Sequence, residues 1–471
     1  MSSIGSLLSI ARTALQTQQA AVAVAGHNIA NAQTKGYSRQ TLQVSANVPE
    51  LRPEGAIGTG VVITGVGRAR EALLDMQVRS SAASASGAGA RRDLLTSVQD
   101  VFTAGGDATL DGALDQFYSA WGDLATNPAS AAARANVRER GASLATTLNG
   151  IATRLDRIAT GAKESATALL SQANGLASRI ATLNVQIVAG DGLSGSANDL
   201  KDERDRLIDS LAEIVPINVV DHPDGSTTIH IGGLAFVDGV DTHPLSVMFG
   251  VGFAVSMNGS PDPLRLGEGK LGQTMQVINT DIPAVRTALD ALAAGLVADV
   301  NAAHVTGWSP TAGAAGNWNP ALGPTGSGIT FFDVTSAPGS TARGITLSAE
   351  VKASANAIAS SDTLNAVGNN GVALAIADLR RSAATSAQGD YGTDLRALVR
   401  FVATLTRSAT DDAEVNGTLR NQAAERRTAS SGVSTDEELT GLMKSQQAYI
   451  AASKLVNVVD ELAKTVLGLI R

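Results

Sequence analysis

Cysteine is absent from the 471 residues, aromatic residues make up 3%, and charged residues make up 17% against a usual value of about 25%. The missing thiols exclude a disulfide scaffold, a thiol catalyst, a zinc ribbon and an iron–sulfur cluster. With few large rings, the core has to come from many small Ala, Leu and Val contacts, as in long packed helices. The apolar share of 44% is enough for that and excludes a disordered chain. The net charge of −8 and the pI near 5.2 argue against a nucleic-acid binder. No uninterrupted apolar run approaches the ~20 residues of a membrane span, so no membrane insertion is expected. No basic segment, apolar run and small-residue cleavage site follow one another at the N-terminus, so export by a cleaved signal is not expected either. Acidic residues are missing from Met1 to Pro49, where the only Lys and Arg are Arg12, Lys35 and Arg39. The length suggests about three folding units at roughly 150 residues each.

Both ends of the chain carry a seam. Ile4, Leu8, Ala11, Leu15, Gln18, Val22, Ala25 and Ile29 alternate spacings of four and three, the pattern of a helix packed lengthwise on a partner. The opposite face is Ser, Thr, Gln and Ala, so it too looks meant to be covered. At the other end, Ser434 followed by Glu437 forms a helix start. A Pro-free stretch then runs to Arg471, with Leu455, Val459, Leu462, Val466 and Leu469 on a stripe that Leu442, Tyr449 and Val456 extend upstream. The two helices suit one another as an antiparallel hairpin. Alone they bury little area, which predicts ends that fray in solution and order in an assembly. Between the first helix and the strand-like Thr41–Val44, the run Gly26-His27-Asn28-Ile29-Ala30-Asn31-Ala32-Gln33-Thr34-Lys35-Gly36-Tyr37-Ser38-Arg39-Gln40 reads as a structured turn.

That run, from Asn28 to Tyr37, resembles the N-terminal signature of bacterial flagellar rod, hook and hook-associated axial proteins. Gly36-Tyr37-Ser38-Arg39-Gln40 is similar to the hook–filament junction type within that family; hook and rod relatives usually have Phe followed by Lys there. Glu437-Glu438, Gln446-Gln447-Ala448-Tyr449, Lys454 and Val459-Asp460-Glu461-Leu462 resemble the same group at the C-terminal end. The resemblance implies a structural subunit that joins hook to filament. It implies an extracellular place at the hook–filament junction, export through the flagellar type III pathway without cleavage, and no cofactor. Its implied partners are copies of itself, the hook subunit, a second junction protein, and a cytoplasmic export chaperone that covers the C-terminal helix.

Between the ends, Asp111 to Leu124 is an amphipathic helix with Leu114, Phe117, Tyr118, Trp121 and Leu124 on one stripe, ended by Asn127-Pro128. Ala131 to Val188 reads as one or two long helices. Asn198 to Leu211 is dense in charge and reads as an exposed helix face. From Pro216 the pattern turns to β, with an Asp224-Gly225 hairpin. A helix over Gly272–Val305 interrupts it, Gly307 to Gly328 is a loop, and β character resumes near Ile329 and Ile345. Helical pattern returns from Glu350 to about Arg427, broken near Gly389–Gly392. Phe117-Tyr118, Leu124, Pro128, Arg134 and Asn198-Asp199-Leu200 with Arg204-Asp205 also fit the family's helical domain.

The expected fold is therefore mainly α with a β-rich insertion, in a nested arrangement. The expected units are a terminal axial domain (1–66 and 432–471), a split long-helix domain (67–213 and 350–431) and an outer β domain (214–349). The expected assembly residues are Leu8, Leu15, Val22 and Ile29 with Tyr449, Val456, Val459, Leu462 and Val466. Asn28, Asn31, Gly36, Tyr37 and Arg39 are expected to shape the turn.

Active-site spacings are missing. His27, His222, His230, His243 and His304 are scattered without metal-ligand spacing. Gly269-Lys270 sits in no phosphate loop, because Leu264 and Leu271 occupy the Gly and Ser/Thr positions. No catalytic, metal or cofactor residue is expected, and no enzyme. The alternatives are another axial subunit (hook or second junction protein), or a secreted coiled-coil adhesin, which has no reason to keep matched seams at both ends.

Overall fold

The structure is a computed structural model that describes residues 2–52, 55–103, 109–194, 197–248, 250, 252–309, 328–335, 340–364 and 366–468. It is mainly helical with small antiparallel sheets. Helix α1 (Ser2–Asn31) leads through a turn into a two-stranded ribbon, β1 (Gln40–Ala46) with β4 (Val61–Arg68), which β2 (Glu50–Arg52) and β3 (Gly55–Ile57) continue. A two-stranded ribbon is marginal in water, and this one runs back along α1. Gly60, at φ 105°, sits so close to Ile10 and Thr13 that a Cβ would meet the Thr13 hydroxyl at 2.4 Å.

The long helices follow: α2 (Ala72–Thr103), α3 (Leu110–Thr126), α4 (Ala131–Ser194) and α5 (Asn198–Ile214). Local chemistry sets their ends. Thr109 caps α3 by accepting from the Gly112 N–H at 3.2 Å, and Ser130 caps α4 by accepting from the Ala133 N–H at 3.1 Å. The Ala131–Val188 pattern is one helix of 64 residues, with no proline to break it.

A four-stranded sheet in order β5 (Asn218–Asp221), β6 (Thr227–Ile231), β7 (Leu234–Asp238), β8 (Asp241–Thr242) comes next, then the pair β9 (Leu245–Met248) and β10 (Ala254–Met257). The β5–β6 turn carries Gly225 at φ 86°, as the Asp-Gly pair predicts. Helix α6 (Gly269–Gln276) passes through a π turn, Val277–Asp281, into α7 (Ile282–Val305). By length and composition Gly269–Val305 could cross a membrane. Charges at Arg286, Asp290 and Asp299 interrupt it, which is why no uninterrupted run reveals it, and Leu289, Leu292, Leu296 and Val300 lie in the protein core.

The remaining elements are β11 (Phe332–Val334), α8 (Thr341–Gly344), β12 (Ile345–Leu347), α9 (Ala349–Ala353), α10 (Gly371–Asp378), α11 (Tyr391–Ser431) and α12 (Thr435–Gly468). The helical pattern expected from Glu350 to Arg427 is thus corrected. Residues 354–364 and 366–370 are mostly irregular, with one 3-10 turn at Ala355–Ala357, 379–390 is turns and irregular chain, and α11 starts at Tyr391 under an Asp390 cap. Ser354 and Ser361 bond to nearby backbone there, in competition with helix. The expected 307–328 loop lies largely outside the described residues.

Two apolar cores result. The first joins α2, α3, the first half of α4, α7, β11, β12, α10 and α11 around Phe117, Trp121, Phe331 and Phe332. Phe331 packs against Phe117, Trp121, Phe332 and His304 with ring centroids 4.7–5.7 Å apart. The second joins the later half of α4, α5, the sheets and α6 around Ile180, Ile208 and Phe236. In the π turn, Val277 enters the first core and Ile278 the second. Arg91 pairs there with the buried Asp281 at 2.9 Å, and Asn279 bonds both the N–H and the carbonyl of Phe253.

Candidate assembly interface

Helices α1 and α12 pack lengthwise. Their direction is antiparallel, because Gln19 faces Tyr449 (3.5 Å) while Asn28 faces Glu438 (3.0 Å). Small and polar side chains make the covered face: Ala11, Thr17, Ala25 and Asn28 on α1, and Glu438 and Val459 on α12 are buried. Many large aliphatics are left outside. Leu7, Leu8, Leu439, Met443, Ile450, Leu455, Val458 and Leu462 are exposed. The expected assembly residues divide accordingly. Val459 is 4% exposed, Leu462 is 44% and Leu8 is 47%. Tyr449 is at the edge of exposure, and Leu15, Val22, Ile29 and Val456 are half-buried. The side chain of Val466 lies outside the described residues.

The turn that follows α1 is built on Asn28, which is buried. Its Nδ2 donates to the Gln40 carbonyl (2.9 Å) and to Glu438 Oε2 (3.0 Å). Its Oδ1 accepts from the Tyr37 hydroxyl (2.7 Å) and from the Gln40 N–H (2.9 Å). All four bonds an amide side chain can make are therefore made. Arg39 Nε donates to Glu438 Oε1 at 2.7 Å, and the Arg39 N–H donates to the Ser431 carbonyl at 3.0 Å. The start of α12 is thus tied to the turn after α1. Asn31 Nδ2 donates to the His27 carbonyl (3.1 Å), and its Oδ1 accepts from Thr34. Gly36, at φ 83°, lets the chain pass under the Arg206 side chain, where a Cβ would clash at 2.5 Å. Burial, with the carboxylates of Asp199, Asp202 and Glu438 nearby, pushes the Tyr37 phenol well above its usual range and keeps it a donor.

The charge-dense helix α5 is not the exposed face that its composition suggests. Asp199, Asp202, Asp205 and Asp209 recur at three or four residues and line one side. Ser38 donates to Asp202 through both its N–H (2.9 Å) and its hydroxyl (2.8 Å). Arg68 bridges Asp202 (2.8 Å) and Asp205 (2.7 Å), and Arg70 pairs with Asp205 and Asp75. Arg79 reaches Asp205 (3.1 Å) and Asp209 (2.9 Å), and Arg427 reaches Asp209 (2.7 Å). Burial alone would raise the Asp205 carboxyl; the Arg70, Arg68 and Arg79 guanidiniums outweigh it and hold it below its usual range. The other side of α5 sends Arg204 into the β unit, where it donates to Asn184 Oδ1 (2.8 Å) and the Gly225 carbonyl (2.7 Å). One helix therefore docks the turn, α2 and α11. The spacing of the four aspartates was the available signal, and their pairing with Arg68, Arg70 and Arg79 was not visible in sequence. Among the described residues no group of three or more His, Cys, Asp or Glu could hold a metal ion.

Comparison with known proteins matches these parts one by one. Residues 8–37 match the flagella basal body rod protein family, and 426–469 match the C-terminal family of basal body rod FlgEFG proteins. Residues 95–317 match the helical domain of flagellar hook-associated protein FlgK. Paired terminal helices outside a long-helix body are thus those of a flagellar axial protein. Flagellar hook-associated protein 1 of Bacillus subtilis (strain 168) is 26% identical over 98% of this chain and 97% of its own length. Its counterpart in Salmonella typhimurium is 26% identical over 65% of this chain, and the match spans 57% of that protein. The fold is similar to the flagellar hook junction protein FlgK from Burkholderia pseudomallei, with TM-score 0.58, 15% identity, and coverage of 74% of this chain and 99% of that one. The chain is a flagellar hook-associated structural axial subunit at the hook–filament junction, part of the external flagellum, and is similar along nearly its whole length to flagellar hook-associated protein 1.

Proposed function

We propose that copies of this chain assemble side by side through the outer apolar faces of α1 and α12. The observation that supports this is the row of large aliphatics left outside the α1–α12 pair while alanines fill the inside. Such a patch on a free monomer marks a surface meant for a partner. In this reading Leu8, Leu462 and Tyr449 meet neighbouring subunits. Leu15, Val22, Ile29, Val456 and Val459 hold the two helices together, and Val466 continues the stripe. Asn28, Asn31, Gly36, Tyr37 and Arg39 fix the angle at which the pair leaves the body.

The terminal unit (1–66 and 432–471) then lies innermost, the split long-helix unit (67–213 and 350–431) around it, and the β-rich unit (214–349) outermost. One end of the assembly meets the hook subunit and the other a second junction protein. The chain leaves the cell through the flagellar export pathway uncleaved. A cytoplasmic chaperone covers α12 beforehand, hiding the same aliphatics. A gene deletion complemented with the wild type or with Leu462→Asp tests the reading. Intact hooks without filaments, and flagellin free in the medium, are expected for the deletion and for Leu462→Asp. Normal filaments on Leu462→Asp would refute assembly through this face.

A further inference from the structure

A groove of about 800 Å³ opens between α2, α3, α4 and α11, far from the terminal helices. Among the described residues that line it, Phe102, Ile151 and Val399 give an apolar floor, and Arg154, Arg396 and Arg400 stand at the rim against one carboxylate, Asp111. Arg396 reaches Asp390 only at 4.0 Å. Arg154 and Arg400 enter no ion pair with another described residue. Three cations around an apolar floor select an apolar side chain flanked by carboxylates.

The chain carries such a segment. Asp238-Gly239-Val240-Asp241 is the tight turn between β7 and β8, with Val240 62% exposed between two exposed carboxylates. The turn is held rigid. Asn184 Nδ2 donates to the Gly239 carbonyl at 2.7 Å, and Thr228 donates to Asp238 Oδ1 at 3.1 Å. Asn184 and Ile151 share helix α4, and at 1.5 Å per residue about 50 Å separates them. A chain therefore cannot fill its own groove.

We propose that the Asp238–Asp241 turn of one copy seats in the arginine-rimmed groove of a neighbouring copy. Val240 covers Ile151 and Phe102, and the two aspartates meet Arg154 and Arg400. The contact is head-to-tail, the type that closes into a ring or winds into a helix. It is small, so it acts in addition to other contacts, where a high effective concentration makes a weak site count. The proposal rests on the reading that copies pack side by side, but it uses no residue of the terminal helices.

The absence of cysteine makes disulfide trapping clean. Val240→Cys and Thr147→Cys full-length chains are purified separately, mixed and oxidised with glutathione disulfide. A mixed covalent dimer is expected, lost when Arg154→Glu and Arg400→Glu are added to the Thr147→Cys chain. It is expected to return when Asp238→Arg and Asp241→Arg are added to the Val240→Cys chain. Linking no faster than Val240→Cys with Ser178→Cys, exposed elsewhere on α4, would overturn the proposal. So would a yield indifferent to the charge reversals. Trapping with Leu462→Asp in both chains separates the two readings. A disulfide that forms there supports the groove contact whether or not filaments are lost, whereas normal filaments on Leu462→Asp overturn only the terminal-helix reading.

Discussion

Asn28 and Glu438 are 410 residues apart in the chain and 3.0 Å apart in the fold, joined by a buried hydrogen bond that ties the end of α1 to the start of α12. The same Asn28 closes the turn through Tyr37 and Gln40, so one side chain sets both the pairing of the terminal helices and their exit from the body. A full set of bonds around a buried amide makes the site intolerant of change, because each orphaned partner costs its own desolvation.

The first prediction follows. Asn28→Ala orphans the Gln40 carbonyl and N–H, the Tyr37 hydroxyl and one oxygen of Glu438. A loss on the order of 2–4 kcal/mol is expected in the terminal unit, since several buried groups lose a partner at once. Hydrogen exchange should rise in α1 and the first turns of α12, with protection in the Phe117–Trp121 core unchanged. Equal loss of protection in that core would mean that the two regions unfold together.

The docking face of α5 gives a second prediction. Asp205 is an acid whose folded pKa is depressed. Its contribution to stability is therefore present above the unfolded value, about 3.9, and is lost as pH falls through the folded value. The terminal unit should loosen only under acid below about pH 4. Asp205→Asn takes one carboxylate from each of Arg68, Arg70 and Arg79 and leaves them Asp202, Asp75 and Asp209, so the expected loss is smaller than the about 3–5 kcal/mol of a buried charge left with no partner. Limited proteolysis near Ser38 and Arg427 at pH 7 should speed up in the variant. No change in cleavage would show the network to be dispensable.

His304 supplies a third, in a different pH window. Its Nδ1 lies 2.7 Å from the Ile329 carbonyl and its Nε2 accepts from the Ala359 N–H at 3.0 Å. A carbonyl can only accept and an amide can only donate, so the neutral ring with hydrogen on Nδ1 is fixed. Complete burial pushes its pKa down to about 4. Between pH 6.5 and 4 the unfolded chain binds a proton that the folded chain refuses, so stability falls with acid over that range by about 3 kcal/mol. Thermal melts should fall from pH 7 to 4.5. His304→Gln, less stable throughout, should lose that slope. A slope retained in the variant would assign it to other groups.

Much of the fold is legible in the sequence because the signals are local. The cap in which Ser434 Oγ accepts from the Glu437 N–H, the Asp224-Gly225 turn and the Phe117–Leu124 stripe each depend on a few adjacent residues. Interactions between distant segments were not legible. Leu455 and Leu462 fit a heptad rule by size, yet Ala448 and Ala452 are more covered, because a close antiparallel pair prefers small side chains. The carboxylates of α5 carry the pattern of a solvated face, since nothing near them in sequence reveals Arg68 or Arg79 on the far side. Val277 and Ile278 are adjacent and alike, and only the π turn sends them to separate cores. At the candidate site, the turn residues Asn28, Tyr37 and Arg39 were readable by type, while Glu438 as their common partner was not.

The last prediction separates the two duties of α12. Val459 is buried against its own chain and Leu462, one turn on, is exposed. A charge at Val459 is placed inside the α1–α12 pair, where taking it out of water carries a large desolvation cost. Val459→Asp should therefore reduce helix content in the isolated chain and block assembly as a consequence. Leu462→Asp puts its charge in water, so the isolated chain should keep its circular dichroism and melting curve and fail only at assembly. Both spectra and filament formation are measured on the same preparations. If Leu462→Asp lowers helix content as much as Val459→Asp, the exposed face belongs to the intramolecular pair. If it does not and filaments still form, the neighbouring subunit seats elsewhere on the terminal unit.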